Sequence, residues 1–146
     1  MTFSEAPVGA GARFLQVAFA ADVAHVPPVR RAVRERLGAW GLESLVDIAL
    51  LAAGELVANA IRHGCASQEE TVTVSAWSTA EELWIGVSDP SPAEPRRRFA
   101  DEREESGRGL ELVAAVADRW GSEPASDGSG KRVWAAFRTT PKEVGE

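Results

Sequence analysis

The sequence predicts an α+β domain of two layers, with helices packed on one face of a mostly antiparallel sheet. Three observations carry this expectation. Short apolar runs read as strands, with the alternation of a half-buried strand clearest in ARFLQVAFA and TVTVSAW. Three longer stretches instead place their apolar residues at helical spacing. The two kinds of run follow in the order β, α, α, β, β, loop, α, β, β, and that order suits helices laid on one side of a sheet whose sequential strands pair directly.

Residues 1–11, MTFSEAPVGAG, have no period that could bury a face and are expected to form a flexible tail, as are residues 141–146. That leaves residues 12–140 for one domain, and a chain of 146 residues has room for one sizeable core but not two. In residues 12–20, Phe14, Gln16 and Ala18 alternate with Arg13, Leu15, Val17 and Phe19, giving the first strand. Pro27 and Pro28 suit a helix opening, where a missing N–H costs nothing, and Val29, Val33, Leu37 and Trp40 then share one face. A second helix is expected over residues 42–63, about six turns, through Leu45, Ile48, Ala49, Ala52, Leu56, Ala60 and Ile61. Gly64 stops it in the manner of a helix C-terminus.

Residues 71–77 and 83–89 read as an antiparallel hairpin. Between Pro90 and Ser106, prolines, the run Arg96, Arg97, Arg98 and mixed acidic residues predict a loop with no packed element. Residues 107–119 resume a helical pattern through Leu110, Val113, Ala114 and Ala117. Residues 120–123 form a short strand, and KRVWAAFRT closes the sheet.

Composition excludes several functions. Hydrophobic residues at 45% and charged residues at 26% describe an ordinary soluble domain, not a disordered chain. A net charge of -6 gives no electrostatic reason to meet phosphate backbones, so no direct DNA binding is expected. All but Lys131 and Lys142 of the 16 basic residues are arginine, which leaves lysine chemistry few candidates. Cys65, the only cysteine, can form neither an intrachain disulfide nor a multi-cysteine zinc site, and suits a reducing cytoplasm. The first eleven residues lack a basic segment followed by an apolar one, and no unbroken apolar stretch reaches about 18 to 20 residues, so neither secretion nor a membrane span is expected.

Three places hold chemistry-bearing residues. Glu55 and Asn59, four apart, put a carboxylate and an amide on one helix face, a spacing also common as plain helix decoration. Asp89 ends an apolar strand and precedes PSP, where aspartate often just bonds the following backbone. In ESGRGLELV, Ser106 can cap a helix, while Gly107 and Gly109 strip side chains from a helix start whose free N–H groups and positive dipole end favour phosphate. Arg108 adds a bidentate donor between them.

The order of these blocks, E-x-x-x-N-A-x-x-H-G on a helix, Asp89 after a strand, a loop, G-x-G-L at a helix start and Gly130 before the last strand, resembles the GHKL or Bergerat-fold ATP-binding domain. Histidine kinases, type II topoisomerases and certain heat-shock chaperones share that fold. GELVANAIRHG, SDPSP and ESGRGLELV are similar in particular to the small stand-alone serine/threonine kinases that act as bacterial anti-sigma factors, over roughly residues 12–139.

The resemblance implies ATP and Mg2+ as cofactors. It implies that Asn59 holds the magnesium ion through its side-chain oxygen and that Glu55 is the general base on the hydroxyl or water attacking the γ-phosphate. Asp89 would accept a hydrogen bond from the adenine amino group, and Gly107, Arg108, Gly109 and Leu110 would cradle the phosphates. Residues 95–106 would form a lid, with Arg96, Arg97 and Arg98 reaching phosphates or an acidic partner, or simply facing solvent.

The implied partners are a sigma factor or related transcription regulator, an anti-sigma antagonist protein that receives the phosphate, and a second copy in a homodimer. His63 lies in the family block, but a histidine in a last helical turn suits the dipole and is assigned no catalysis. Ser91 stands where many relatives have the glycine that follows the adenine-binding aspartate. The tryptophans at 40, 77, 84, 120 and 134 are expected as core or dimer contacts. Two rivals stay open: a nucleotide-binding partner-switch module without kinase activity, and a relic acting through protein contacts alone.

Overall fold

The computed structural model describes residues 13–91, 106–125 and 128–139, with only the backbone of residues 106–108. The expected tails, residues 95–105 of the expected lid with Arg96, Arg97 and Arg98, and the side chain of Arg108 lie outside that description. Eight main elements follow in the expected order: β1 (Arg13–Ala20), α1 (Val26–Ala39), α2 (Val46–Asn59), β2 (Thr71–Ser78), β3 (Glu82–Asp89), α3 (Ser106–Val116), β4 (Arg119–Pro124) and β5 (Lys131–Arg138). The strands form one sheet in the order β1-β2-β3-β5-β4. Every neighbouring pair is antiparallel.

The helices cover one sheet face. Leu15, Val72, Val74, Leu83, Ile85, Val87, Val133 and Phe137 point into a single core with Val33, Leu37, Leu50, Leu56, Leu110 and Val113 from the helices. Alternation does this work, since every second residue of a strand reaches the same side. Burial of about 25 cal/mol per Å² of apolar surface then makes this face the main source of cohesion.

α1 ends at a glycine. Gly41 has a φ of 76°, its N–H donates to the Gly38 carbonyl at 3.0 Å, and the Leu42 N–H donates to the Leu37 carbonyl at 2.9 Å. This pair of bonds is a Schellman cap, completed by the buried pair Leu37 and Leu42.

The expected six-turn helix is a composite. Residues Glu43–Leu45 form a 3-10 turn, Val46–Asn59 the α-helix, and Ala60–Gly64 a wider π turn. By length and composition, Glu43–Gly64 is apolar enough to cross a membrane, with a mean hydropathy of 1.7 over its best window. The run is not an unbroken apolar stretch, because Asp47 and Glu55 interrupt it. The apolarity has a structural cause: α2 packs against β3, α1 and α3 at once, burying Ala49, Leu50, Ala52, Ala53, Leu56 and Val57. α3 is shorter than expected, because the chain turns at Ala117 and Asp118 and Arg119 already belongs to β4.

The opposite sheet face carries a second, smaller core. Trp77 and Trp84 are opposed across β2 and β3 and stack with centroids 5.2 Å apart and planes at 10°. Trp134 leans on Trp84 at 4.9 Å. The guanidinium of Arg119 lies 5.1 Å from the Trp84 ring and is anchored to both carboxylate oxygens of Glu82, at 2.8 and 2.9 Å. Trp40 and Trp120 instead pack partly buried against the helix-side core.

Candidate functional site

Two clusters lie along the second half of the Glu43–Gly64 helical run. The first joins α2 to α3. Glu55 and Asn59 are half-buried on α2, and both face Gly109 in the first turns of α3. A methyl group on Gly109 would stand 2.8 Å from Glu55 Oε2 and 3.8 Å from Asn59 Oδ1. A methyl group there would be in ordinary contact with Asn59 but would force the end of the Glu55 side chain to shift, so the glycine leaves that carboxylate in place beside the α3 backbone. Leu110, next in the chain, is fully buried and pins that turn to the core.

Thus a carboxylate, an amide oxygen and the start of an eleven-residue helix converge. That combination can take a proton at Glu55, offer one neutral oxygen to a hard cation at Asn59, and present backbone N–H groups to an anion. Among the described residues, no three His, Cys, Asp or Glu side chains gather as metal ligands.

The second cluster lies at the end of the sheet. Asp89 is the last residue of β3 and points to the helix side, with the alternation of Ile85 and Val87. Its side chain is 3% exposed. Oδ1 accepts a hydrogen bond from the Ser91 N–H at 2.9 Å and another from Lys131 Nζ at 3.0 Å. Lys131 stands opposite Asp89 in the β3–β5 ladder and is itself buried. The carboxylate lies flat on Gly64, where a methyl group would overlap it, and a methyl group on Gly130 would collide with the Asp89 carbonyl.

Gly64 therefore has a different reason from the one the sequence offered. Its φ is not positive, so it is no left-handed cap; it is the floor on which Asp89 rests. The π turn that delivers it is an irregularity often found at functional sites.

Beside this cluster opens a cleft of about 280 Å3, bordered by His63, Gly64, Cys65, Glu70, Pro90 and Ser91. His63 is exposed on its wall. At about 1.5 Å of rise per residue, Glu55 stands some 13 Å along the helical run from Gly64. The two clusters are thus set apart along one helical run, both on the helix side of the sheet.

Sequence reasoning singled out Glu55, Asn59, Asp89, Gly109 and Leu110, and the fold brings them to these two clusters. It missed Lys131 and Gly64 as parts of the Asp89 cluster. The signal for Lys131 was available: one of two lysines in an arginine-rich chain, placed directly after the glycine that precedes the last strand.

Comparison with known proteins gives the same frame. The family model described as a histidine kinase-like ATPase domain matches residues 19–137. Among solved structures, the chain is similar to the RsbU and RsbW domains of Rv1364c from Mycobacterium tuberculosis, with a TM-score of 0.65 and 20% identity, covering 86% of this chain and 32% of that one. The chain thus spans about a third of the solved chain, and the likeness is one of fold. A search of the curated proteins found no match.

Proposed function

The chain belongs to the histidine kinase-like ATPase domain family, and from that premise we propose that it is an ATP-binding regulatory protein with serine/threonine kinase activity of the anti-sigma-factor type. One observation carries the reading: Glu55 and Asn59 converge on the bare backbone of Gly109, at the start of a helix. The residues fit a magnesium nucleotide. Asn59 Oδ1 is the kind of neutral oxygen donor that a hard cation shares with phosphates and water. The start of α3, with Gly107, Arg108, Gly109 and Leu110, holds the phosphates through N–H groups and the helix dipole. At the far end, Asp89 accepts from the adenine amino group.

Bound ATP supplies the γ-phosphoryl group that is transferred. The chain's part is positioning and proton transfer, with Glu55 taking the proton from an attacking serine or threonine hydroxyl. The partners proposed are an antagonist protein bearing that hydroxyl, a sigma factor or similar regulator held in the same pathway, and a second copy of the chain. The RsbW domain named in the solved neighbour supports this direction through the shared fold.

The test combines calorimetric titration with ATP and magnesium and transfer of labelled γ-phosphate to candidate antagonist proteins. Glu55→Gln is expected to bind ATP and to lose transfer by about 100-fold or more, the contribution of a positioned base. Undiminished transfer would remove Glu55 as the base. Binding without transfer in the wild type would leave a nucleotide-dependent partner switch, and absence of any binding would sink both nucleotide readings.

A further inference from the structure

Asp89 is where the site reads a base, and its carboxylate is already half occupied. Oδ1 holds two donors, the Ser91 N–H at 2.9 Å and Lys131 Nζ at 3.0 Å, while Gly64 supports the plane of the group from below. We propose that Lys131 sets the base selectivity of this site, by keeping Asp89 as an acceptor-only carboxylate that offers Oδ2 to a 6-aminopurine and refuses a 6-oxopurine. The inference rests on the nucleotide reading above and adds a residue to it.

The physical argument starts from burial. Lys131 and Asp89 have side chains 8% and 3% exposed. A buried ion pair adds little net stability, since desolvation consumes most of the attraction, so cohesion alone is a weak reason for it. Its consequence for chemistry is larger. A carboxylate held by an ammonium accepts hydrogen bonds and donates none. Facing it, the amino group of adenine finds a partner, whereas the carbonyl of a 6-oxopurine in the same place meets a second acceptor.

Without Lys131, a carboxyl group in the same place would be a lone buried charge. Such a group escapes the cost by taking a proton, and then one oxygen donates. The neutral carboxyl can satisfy the 6-oxo group as readily as the 6-amino group, so selectivity falls even though the base pocket keeps its shape.

The choice of lysine is also informative. The chain uses arginine for all but two of its 16 basic residues, and guanidinium is the better bidentate partner for a carboxylate. A bidentate arginine would engage both oxygens and leave neither reserved for the base. Lysine, a compact point charge, engages Oδ1 and leaves Oδ2 without a second contact from the same side chain. Its position fixes that outcome, because Asp89 and Lys131 are directly opposed at the last rung of the ladder and cannot slide past one another.

The experiment is a titration of the whole chain with ATP and with inosine triphosphate, which carries a 6-oxo group, in the presence of magnesium. Wild type is expected to favour ATP by on the order of 100-fold or more, as sites built to pair one polar group reject its opposite. Lys131→Met is expected to bring the ratio within about tenfold, mostly by gaining inosine triphosphate. In the Asp89→Asn background, Lys131→Met is expected to change the ratio no further, because the lysine acts through Asp89.

Thermal unfolding checks that each variant folds. Lys131→Gln, similar in length and able to donate to Oδ1 without charge, gives the same reading should methionine fail there. A folded Lys131→Met or Lys131→Gln protein that keeps the wild-type ratio overturns the proposal and leaves the nucleotide reading intact. Wild type that binds neither triphosphate overturns both.

Discussion

Cys65 packs half-buried against the core, one residue beyond the floor on which Asp89 rests. Burial pushes its thiol up from the ordinary range, and the carboxylates of Asp89 and Glu70 push the same way, against the pull of Lys131. The raised value means less thiolate at any given pH near neutrality, and only the thiolate attacks an alkylating agent. Iodoacetamide at mildly alkaline pH is therefore expected to modify Cys65 several-fold more slowly than a free peptide cysteine. Glu70→Gln, which keeps an acceptor for the Ala66 N–H while removing a charge, is expected to speed the reaction. Equal rates for protein and peptide would contradict this account. Linkage has the same sign: the fold favours the protonated thiol, so this contribution to stability is full below the unfolded thiol's range and is lost as pH rises through the folded value.

At the scale of elements, strands and helices were legible because period is a local property of sequence. TVTVSAW alternates and becomes β2; Val29, Val33 and Leu37 share a helical face and become the buried side of α1. What stayed hidden depends on contacts between distant segments. Nothing local distinguishes a glycine that ends a helix from one that lets a carboxylate lie against it, and Gly41 and Gly64 are those two cases. The division of Glu43–Gly64 into 3-10, α and π turns was hidden for the same reason, since its apolar period is continuous.

The site followed this rule too. Glu55, Asn59 and Asp89 are candidates through the order of blocks, whereas the pairing of Asp89 with Lys131 needs the β3–β5 register. A prediction belongs to this scale. Gly64→Ala must displace the Asp89 carboxylate or the π turn, and overpacking of this kind costs about 1–3 kcal/mol. Denaturant unfolding is expected to show that loss, and titration is expected to show weakened ATP binding from the same variant. Unchanged affinity would mean that Asp89 does not read the base from its present seat.

For the whole molecule, the sheet divides two tasks. Its helix side carries the main core and both clusters of the site, from Glu55, Asn59 and Gly109 to Gly64 and Asp89. Its other side carries Trp77, Trp84, Trp134 and Ala136, a separate packed layer closed at one edge by Arg119. Trp84 lies at the centre of that layer, in contact with both other tryptophans and with the guanidinium, and is 1% exposed. Truncating a buried aromatic costs about 3–5 kcal/mol, within the roughly 5–15 kcal/mol of stability that domains possess. Trp84→Ala is therefore expected to unfold at markedly lower temperature yet remain folded at low temperature. Because the lost contacts lie across the sheet from Asp89 and Glu55, its ATP affinity below the transition is expected to stay within about 0.5 kcal/mol of wild type, as for independent sites. A parallel loss of affinity and stability would show instead that the tryptophan layer sets the geometry of the strand end holding Asp89, and that the two faces act as one unit.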